Sequence, residues 1–540
     1  MADPFKTAHP NSRDETKASG DPSAPTVETA RTAGRGGVAV LGAKVFFLVT
    51  GFIQQPLLRL AVGLNDFGGL AQALVVSNTV NNVVVSSGTQ AVSRIVASAP
   101  GHEEEALRAA LRVHVPMAFV VAGAVAAAAP FYARFERADD VVAPLLIMAI
   151  VALLYGMYAP LIGYLNGRNY FGRQAALDVA FATLRTLGLI AFGYAFVARG
   201  LSGVLGTTVG WVAAAACIVP LAVRWTGIGK PTAPAASLPD GIPSPRAYVA
   251  LLLPIAGAQL CANALLQADI ALLGRFLSET SAAIVFVGSS QRDLVKSWVA
   301  IYKECQTFAF LPYQLLFSVT LVLFPMLARA TSARDPAAVR TYVARGSRLA
   351  AIFGGMLVGV VIAMPESLLA FAYGPADAHR GADVLRIMAL AQGSFAMLGI
   401  ATTILTSVGR ERTSAWITLG ALVAVSLACT GFVPGGRFGH DQLVRSAEAT
   451  LVALTGALLV AGAFVRGQTG AFVPIATVAR VCAALAACFV LGLWMPRVGR
   501  LVTPLVALLV AGAYIAVLLV TREMGAADVR WLRALASRRR

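Results

Sequence analysis

Polar and charged side chains recur at helical spacing inside stretches that are otherwise apolar. Lys44, Gly51 and Gln55 are seven and four positions apart, which places them on one helix face, and Arg59 extends that stripe. In the next apolar run Asn78, Asn82, Ser86, Gln90 and Ser93 repeat at intervals of four or three. Gln259, Asn263 and Gln267 form a third stripe, and Lys303, Thr307, Gln314 and Ser318 a fourth. A charge at the middle of a membrane span costs ~2.5–3.5 kcal/mol on insertion scales, so such groups normally face a partner or a cavity. Polar stripes of this kind on several helices are what a shared aqueous cavity would require. The competing role is packing, since Asn, Gln and Ser also bond from helix to helix for ~0.6 kcal/mol on average.

Asp178 and Arg185 lie seven positions apart on one face. At a rise of ~1.5 Å per residue they are too distant for a direct pair, so each should meet a partner on another helix. Asp269, and Glu304 beside Lys303, complete the embedded acids; either could serve only to neutralise a local cation. The candidate cavity residues are therefore Lys44, Gln55, Arg59, Asn78, Asn82, Gln90, Asp178, Arg185, Gln259, Asn263, Asp269, Lys303 and Gln314.

The elements that must hold these residues are membrane helices. The chain of 540 residues is 57% hydrophobic and 13% charged, with mean hydropathy +0.72, whereas charged residues make up about a quarter of soluble domains. Its apolar runs are ~20 residues or slightly longer, as a helix needs to cross the hydrocarbon core, which predicts an all-α polytopic membrane protein. The net charge of +17 does not indicate nucleic acid, because the basic residues lie in short connectors and no aromatic-rich basic patch accompanies them. The six cysteines fall in or beside apolar spans without metal-ligand spacing, the five histidines are scattered, and no cofactor or metal is expected. The phosphate-loop look-alike ending at Lys44 has its lysine displaced and lies inside a span.

About fourteen spans are expected by length and hydropathy, among them 37–62, 70–95, 247–272, 302–327 and 349–372. They divide as a disordered cytoplasmic tail (1–36), an amino-terminal lobe of six spans (37–224), a Pro-rich linker (225–246), a carboxyl-terminal lobe of six (247–466), two further spans (467–521) and a basic tail (522–540). Placing both termini in the cytoplasm puts most arginines on the inner side, as the positive-inside rule asks. Residues 278–301 read as an outward loop with a short surface helix. Gly206-x-x-x-Gly210 and Gly355-x-x-x-Gly359 read as close helix contacts.

The two lobes read as copies of one unit. An apolar helix, a Ser/Ala-Arg exit and a short connector occur around 83–115 and again from 311. Residues 143–177 match 382–417, each running an Ile-Met-Ala helix through a Gly/Arg turn into another helix. Duplication of this kind marks secondary transporters whose halves rock about a shared site.

The stretch LPYQLLFSVTLVLFPMLARA (311–330), the Ser93-Arg94 exit and the LNGRNYFGRQ turn (165–174) resemble the multidrug/oligosaccharidyl-lipid/polysaccharide exporter superfamily, in its polysaccharide (O-antigen type) flippase branch. The resemblance spans nearly all of the chain after Gly37. It implies two six-helix lobes plus two carboxyl-terminal helices, a central cationic cavity and alternating access, with no bond made or broken. It implies as cargo a glycan joined through pyrophosphate to a polyprenol, turned across the bacterial inner membrane for cell-surface polysaccharide such as lipopolysaccharide. Lys44, Arg59, Arg185 and Lys303 would then meet the pyrophosphate. Other partners in this reading are membrane lipids, H+ or Na+ as a candidate coupling ion, and glycan polymerase machinery. A lipid II flippase of the same superfamily is the nearest alternative. A cation-coupled multidrug exporter is a further one, disfavoured because the first span carries Lys44 and no acid. A membrane-bound glycan polymerase would need a large catalytic loop, for which 278–301 is too short, and an inert scaffold would not need polar stripes in both halves.

Overall fold

The computed structural model describes residues 27–227, 243–284, 290–523 and 525, and among them every regular element is a helix. The amino-terminal lobe comprises α1 (Val27–Ser98), α2 (Glu103–Glu136), α3 (Val142–Gly167), α4 (Phe171–Val197) and α5 (Gly203–Thr226). The carboxyl-terminal lobe comprises α6 (Pro245–Leu265), α7 (Ala268–Ala282), α8 (Gln291–Ala309), α9 (Leu311–Ser332), α10 (Pro336–Ala363), α11 (Pro365–Ala372), α12 (Pro375–Ser407), α13 (Glu411–Phe432) and α14 (His440–Thr469). Two helices follow, α15 (Ile475–Trp494) and α16 (Thr503–Val520).

Among the described residues, twelve helices are long and apolar enough to cross a membrane. One of them, α1, has 57 qualifying residues, about 85 Å of helix against a hydrocarbon core of ~30 Å. It is interrupted at Gly63, whose φ of 83° and ψ of 171° only glycine adopts readily. The chain reverses there. Lys44 pairs with Asp178, Thr186 bonds Gln54, and Val62 lies against Gly193, so the first arm of α1 runs parallel to α4. Gly156, Gly163 and Gly167 of α3 lie against Val84, Val92 and Val96, so the second arm runs parallel to α3. A short turn joins α3 to α4, and Tyr155 and Tyr158 pack against Phe181 across it, making α3 and α4 an antiparallel hairpin and the two arms antiparallel in turn. With α1 crossing twice, and α8 and α9 together crossing once, the described residues supply fourteen crossings. An even number leaves the start of α1 and the end of α16 at one end of the bundle, here the near end.

Each lobe encloses its own core. Leu58, Leu107, Tyr164, Leu177 and Ile218 centre the first, and Leu273, Tyr302, Met388, Ile404 and Leu443 the second. A smaller core on α10 holds α15 and α16 through Val481, Cys488 and Tyr514, which press on Gly355 and Gly359. In the first lobe a Cβ on Gly188 or Gly210 would strike the other's carbonyl oxygen, so α4 and α5 meet backbone to backbone. Both glycine pairs thus make the close contacts their spacing predicts. The turns of the two matched segments agree as well. Asn169 and Gly409 both take positive φ (58° and 78°), and Tyr170 N–H to Leu165 and Arg410 N–H to Leu405 are both 2.8 Å.

Several expected boundaries are corrected. The first two spans are not separated by a loop, since helix resumes directly after Gly63. Of the expected tail, α1 already includes 27–36, and 1–26 lies outside the described residues. The expected spans 247–272, 302–327 and 349–372 are each broken. Asp269 bonds the Ile270 amide, 2.8 Å, at the start of α7, while Pro312 and Pro365 lack the N–H that would continue α8 and α10. Residues 278–301 form no long loop. Here α7 continues to Ala282 and α8 begins at Gln291, burying Val295, Val299 and Tyr302 along one face. The Pro-rich stretch 228–242, residues 285–289 and nearly all of the basic tail lie outside the described residues.

Candidate functional site

The stripes fall into three places. In the near half of the amino-terminal lobe, Lys44 Nζ lies 3.3 Å from Asp178 Oδ2, with the lysine side chain 49% exposed and the aspartate 14%. Arg185, two helical turns further along α4, meets no acid among the described residues. Its guanidinium sits over Phe47 at 4.9 Å, Trp211 at 5.6 Å and Phe181 at 5.9 Å, and its Nε has no hydrogen-bond partner. Trp211 is fixed by donating from Nε1 to the Tyr155 hydroxyl, 2.5 Å. Asp178 therefore finds its partner on another helix as its spacing requires, whereas Arg185 is held by aromatic faces.

Between the lobes, the second and third stripes touch. Asn82 donates to Asn263 Oδ1 at 3.0 Å, and Asn263 donates to the Gln259 carbonyl at 2.8 Å. Phe52 and Phe308, from opposite lobes, meet edge to face with centroids 5.3 Å apart. Asn78, Gln55 and Gln314 are half-buried, and Gln90 is exposed. The hydrogen bond from this face of α4 goes to Gln54 and not to Gln55.

At the far end the lobes are tied by charge. Arg59, one turn before the reversal at Gly63 and about 22 Å along the helix from Lys44, donates to Glu304 Oε1 at 3.0 Å and to Asp377 Oδ2 at 2.6 Å. Beside this trio Asp140 accepts from Arg292 at 2.8 Å and pairs with Lys296 at 2.6 Å. Arg292 also reaches Gln72 at 2.6 Å, and Gln72 donates to the buried Glu136 at 2.5 Å. The near half of this crossing behaves differently, for α9 packs on α8, α10 and α12, all of its own lobe, while α8 packs on α1.

Asp269 is not in the cleft with the others. It is enclosed in the carboxyl-terminal lobe, where Tyr302 donates to it at 2.9 Å and Gln306 at 3.2 Å, and Ser446 bonds Tyr302 at 3.3 Å. Lys303 donates to Gln306 at 3.1 Å and so joins this network from its edge. The far-end groups Asp377, Asp140, Glu136 and Gln72 were not among the candidate residues. Asp377 lies ahead of the expected span, in a stretch read as connector, and Arg292 and Lys296 lie in the presumed loop. The signal for Arg292 and Lys296 is their helical spacing with Lys303 in an amphipathic run.

No family model and no curated protein sequence matches the chain. Solved structures do. A lipid II flippase MurJ, in an inward closed conformation, superposes with TM-score 0.67 at 12% identity, covering 90% of this chain and 99% of that one. An inward-facing multidrug resistance MATE family transporter of the MOP superfamily gives 0.62 at 11% identity, with 80% and 98% covered. A MOP superfamily transporter from Pyrococcus furiosus, described as having a binding pocket of reverse polarity, gives 0.55 at 12%, with 80% and 95% covered. At these identities the likeness is one of architecture, and the chain shares the overall fold of these solved transporters.

Proposed function

We propose that the protein is an alternating-access transporter that turns a polyprenyl-pyrophosphate-linked oligosaccharide across the bacterial cytoplasmic membrane for cell-surface polysaccharide synthesis, with both termini inside. The observation that carries this reading is the contrast between the two ends of the bundle. Charge pairs close the far end, while in the near half Lys44 stays half-exposed against Asp178 and Arg185 meets no acid among the described residues. A buried or half-buried cation without a full counter-charge is costly unless an anion visits it. A pyrophosphate entering from the inner side supplies that anion. The amides of Asn78, Asn82, Gln259 and Asn263 stand further along the cleft for sugar hydroxyls, and the polyprenol remains in the bilayer. Arg59 and Lys303 complete the positive lining in this reading, Arg59 being freed when the far end opens. Gln55, Gln90 and Gln314 are further polar contacts, and Asp178 holds Lys44 in place. Asp269 acts at one remove, through Gln306 and Lys303. No step makes or breaks a covalent bond.

A lipid II flippase is the second reading, favoured by the MurJ structure's coverage of 90% of the chain against 80% for the MATE transporter. Both cargoes are glycans on a polyprenyl pyrophosphate. Mass spectrometry of lipids co-purified in mild detergent separates them, since the glycan mass distinguishes a peptidoglycan precursor from a surface-polysaccharide repeat. Recovery of bulk phospholipid alone, together with stabilisation by organic cations, would replace both readings with drug export.

A further inference from the structure

The far-end trio does more than bridge the lobes. Arg59 is the only one of its three members that belongs to the amino-terminal lobe; Glu304 on α8 and Asp377 in the first turn of α12 both belong to the other. Glu304 is fully buried and Asp377 is 7% exposed. Glu304 Oε2 has no hydrogen-bond partner, so the site is not saturated even with Arg59 in place. Arg380, one turn along α12 from Asp377, has its guanidinium over the Trp298 ring at 4.0 Å.

The other ionisable groups around Glu304 are committed elsewhere. On α7, Asp269 is bound by Tyr302 and Gln306. On α8 itself, Lys303 bonds Gln306 and the Cys305 thiol donates to the Gly381 carbonyl. Glu366 of α11 pairs with Arg497 and His379. Asp441 and Arg445 of α14 pair with each other, Arg329 of α9 and the arginines of α10 stand at the near end, and Tyr373 contributes a hydroxyl. Separating the lobes at the far end would therefore withdraw Arg59 and leave two adjacent carboxylates with Arg380 as the remaining nearby cation among the described residues. Two such acids in a confined site do not both stay ionised, and the least demanding replacement for the guanidinium is a proton.

We propose that Glu304 and Asp377 form a proton-binding site for which Arg59 is the built-in competitor. With the far end open, one carboxylate takes up a proton from that side. When the lobes close, Arg59 pairs with both carboxylates and the O–H bond gives up its proton to the cleft, which opens at the near end. One proton thus moves from the far side to the near side per cycle, opposite to a cargo carried outward. By linkage, protonation favours far-end opening to the same extent that opening favours protonation.

The inference rests on the alternating-access reading, yet its test requires no cargo, so the two can fail separately. Hydrogen–deuterium exchange of the full-length protein in lipid nanodiscs is followed by mass spectrometry from pH 5.5 to pH 8, corrected for intrinsic exchange. Peptides from α8 and the first turns of α12 should exchange faster as pH falls, by up to about tenfold per pH unit where one proton is linked. Near-end peptides should not exchange faster, since alternating access closes that end as the far end opens. In Glu304→Gln/Asp377→Asn the far-end profile should become flat, and in Asp383→Asn, an exposed acid outside the site, it should match the parent. A flat profile in the parent overturns the proposal, and so does a pH response that survives the double variant. If the double variant also speeds exchange in the near-end peptides, Glu304→Gln alone decides: a reduced pH response supports the site and an unchanged one overturns it.

Discussion

Lys44 on the first arm of α1 and Asp178 on α4 pair at 3.3 Å in the half of the amino-terminal lobe away from the far-end charges. With the lysine 49% exposed, such a pair contributes ~0–1 kcal/mol, so its removal should hardly affect folding. Lys44→Glu is expected to reach the membrane at the parental level with a melting temperature within a few degrees. It should nevertheless abolish glycan export in a strain lacking the native gene, because it reverses the charge met by the cargo. Normal export by this variant would sink the cationic-cleft argument.

Arg185 separates function from stability in the opposite direction. Its guanidinium is held by Phe47, Phe181 and Trp211 with no acid among the described residues, and a charge kept from water without a counter-charge costs stability that an apolar side chain of similar volume does not. Arg185→Leu is therefore expected to keep or raise the unfolding temperature while export falls. If the variant unfolds earlier and exports normally, Arg185 is a structural residue and has no part in cargo binding.

Gly63 tests the reversal of α1. With φ at 83° and ψ at 171°, a side chain there is strained even though a Cβ would meet no atom within 4 Å. The expected cost of Gly63→Ala is ~1–3 kcal/mol, arising from the backbone alone. Thermal unfolding in detergent measures it. A cost below ~0.5 kcal/mol would mean that the turn relaxes into another conformation.

What could be foreseen follows from how visible each signal is against its background. A charge within an apolar run stands out, so Lys44, Asp178 and Arg185 were legible, as was the partner Asp178 needed on another helix. Asp377 and Arg292 were not, because in polar stretches a charge carries no information until the fold shows what it faces. The breaks at Leu266, Phe310 and Met364 were missed because hydropathy sums over a window and ignores a single proline or a local Asp cap. Asp269 was visible as an embedded acid, but spacing alone does not say whether a face turns toward the cleft or into its own lobe. Only the bonds from Tyr302 and Gln306 decide that.

Glu523 gives a prediction in pH. It follows α16 and is 2% exposed, accepting from Thr477 at 2.6 Å, Arg480 at 2.6 Å and Arg348 at 2.7 Å, with a second Arg348 bond to its backbone carbonyl. One carboxylate thus ties α10 and α15 to the end of α16. Burial pushes its pKa upward, but the three hydrogen bonds and the charge of Arg348 outweigh burial and leave it below the usual glutamate value. A carboxyl group that is more acidic when folded stabilises the protein fully above its unfolded pKa of ~4.3, and that contribution disappears as pH falls through the folded value. Hydrogen bonds to a charged group contribute ~1.5–3 kcal/mol each when broken singly, reduced here because both arginines are about a third exposed. Glu523→Gln should therefore lower the unfolding temperature at pH 7. Its difference from the parent should shrink steadily as the pH is taken below about 4.3. Thermal scans in detergent from pH 7 downward provide the check. A difference that is constant across the range would show that Glu523 acts through packing and not through its charge.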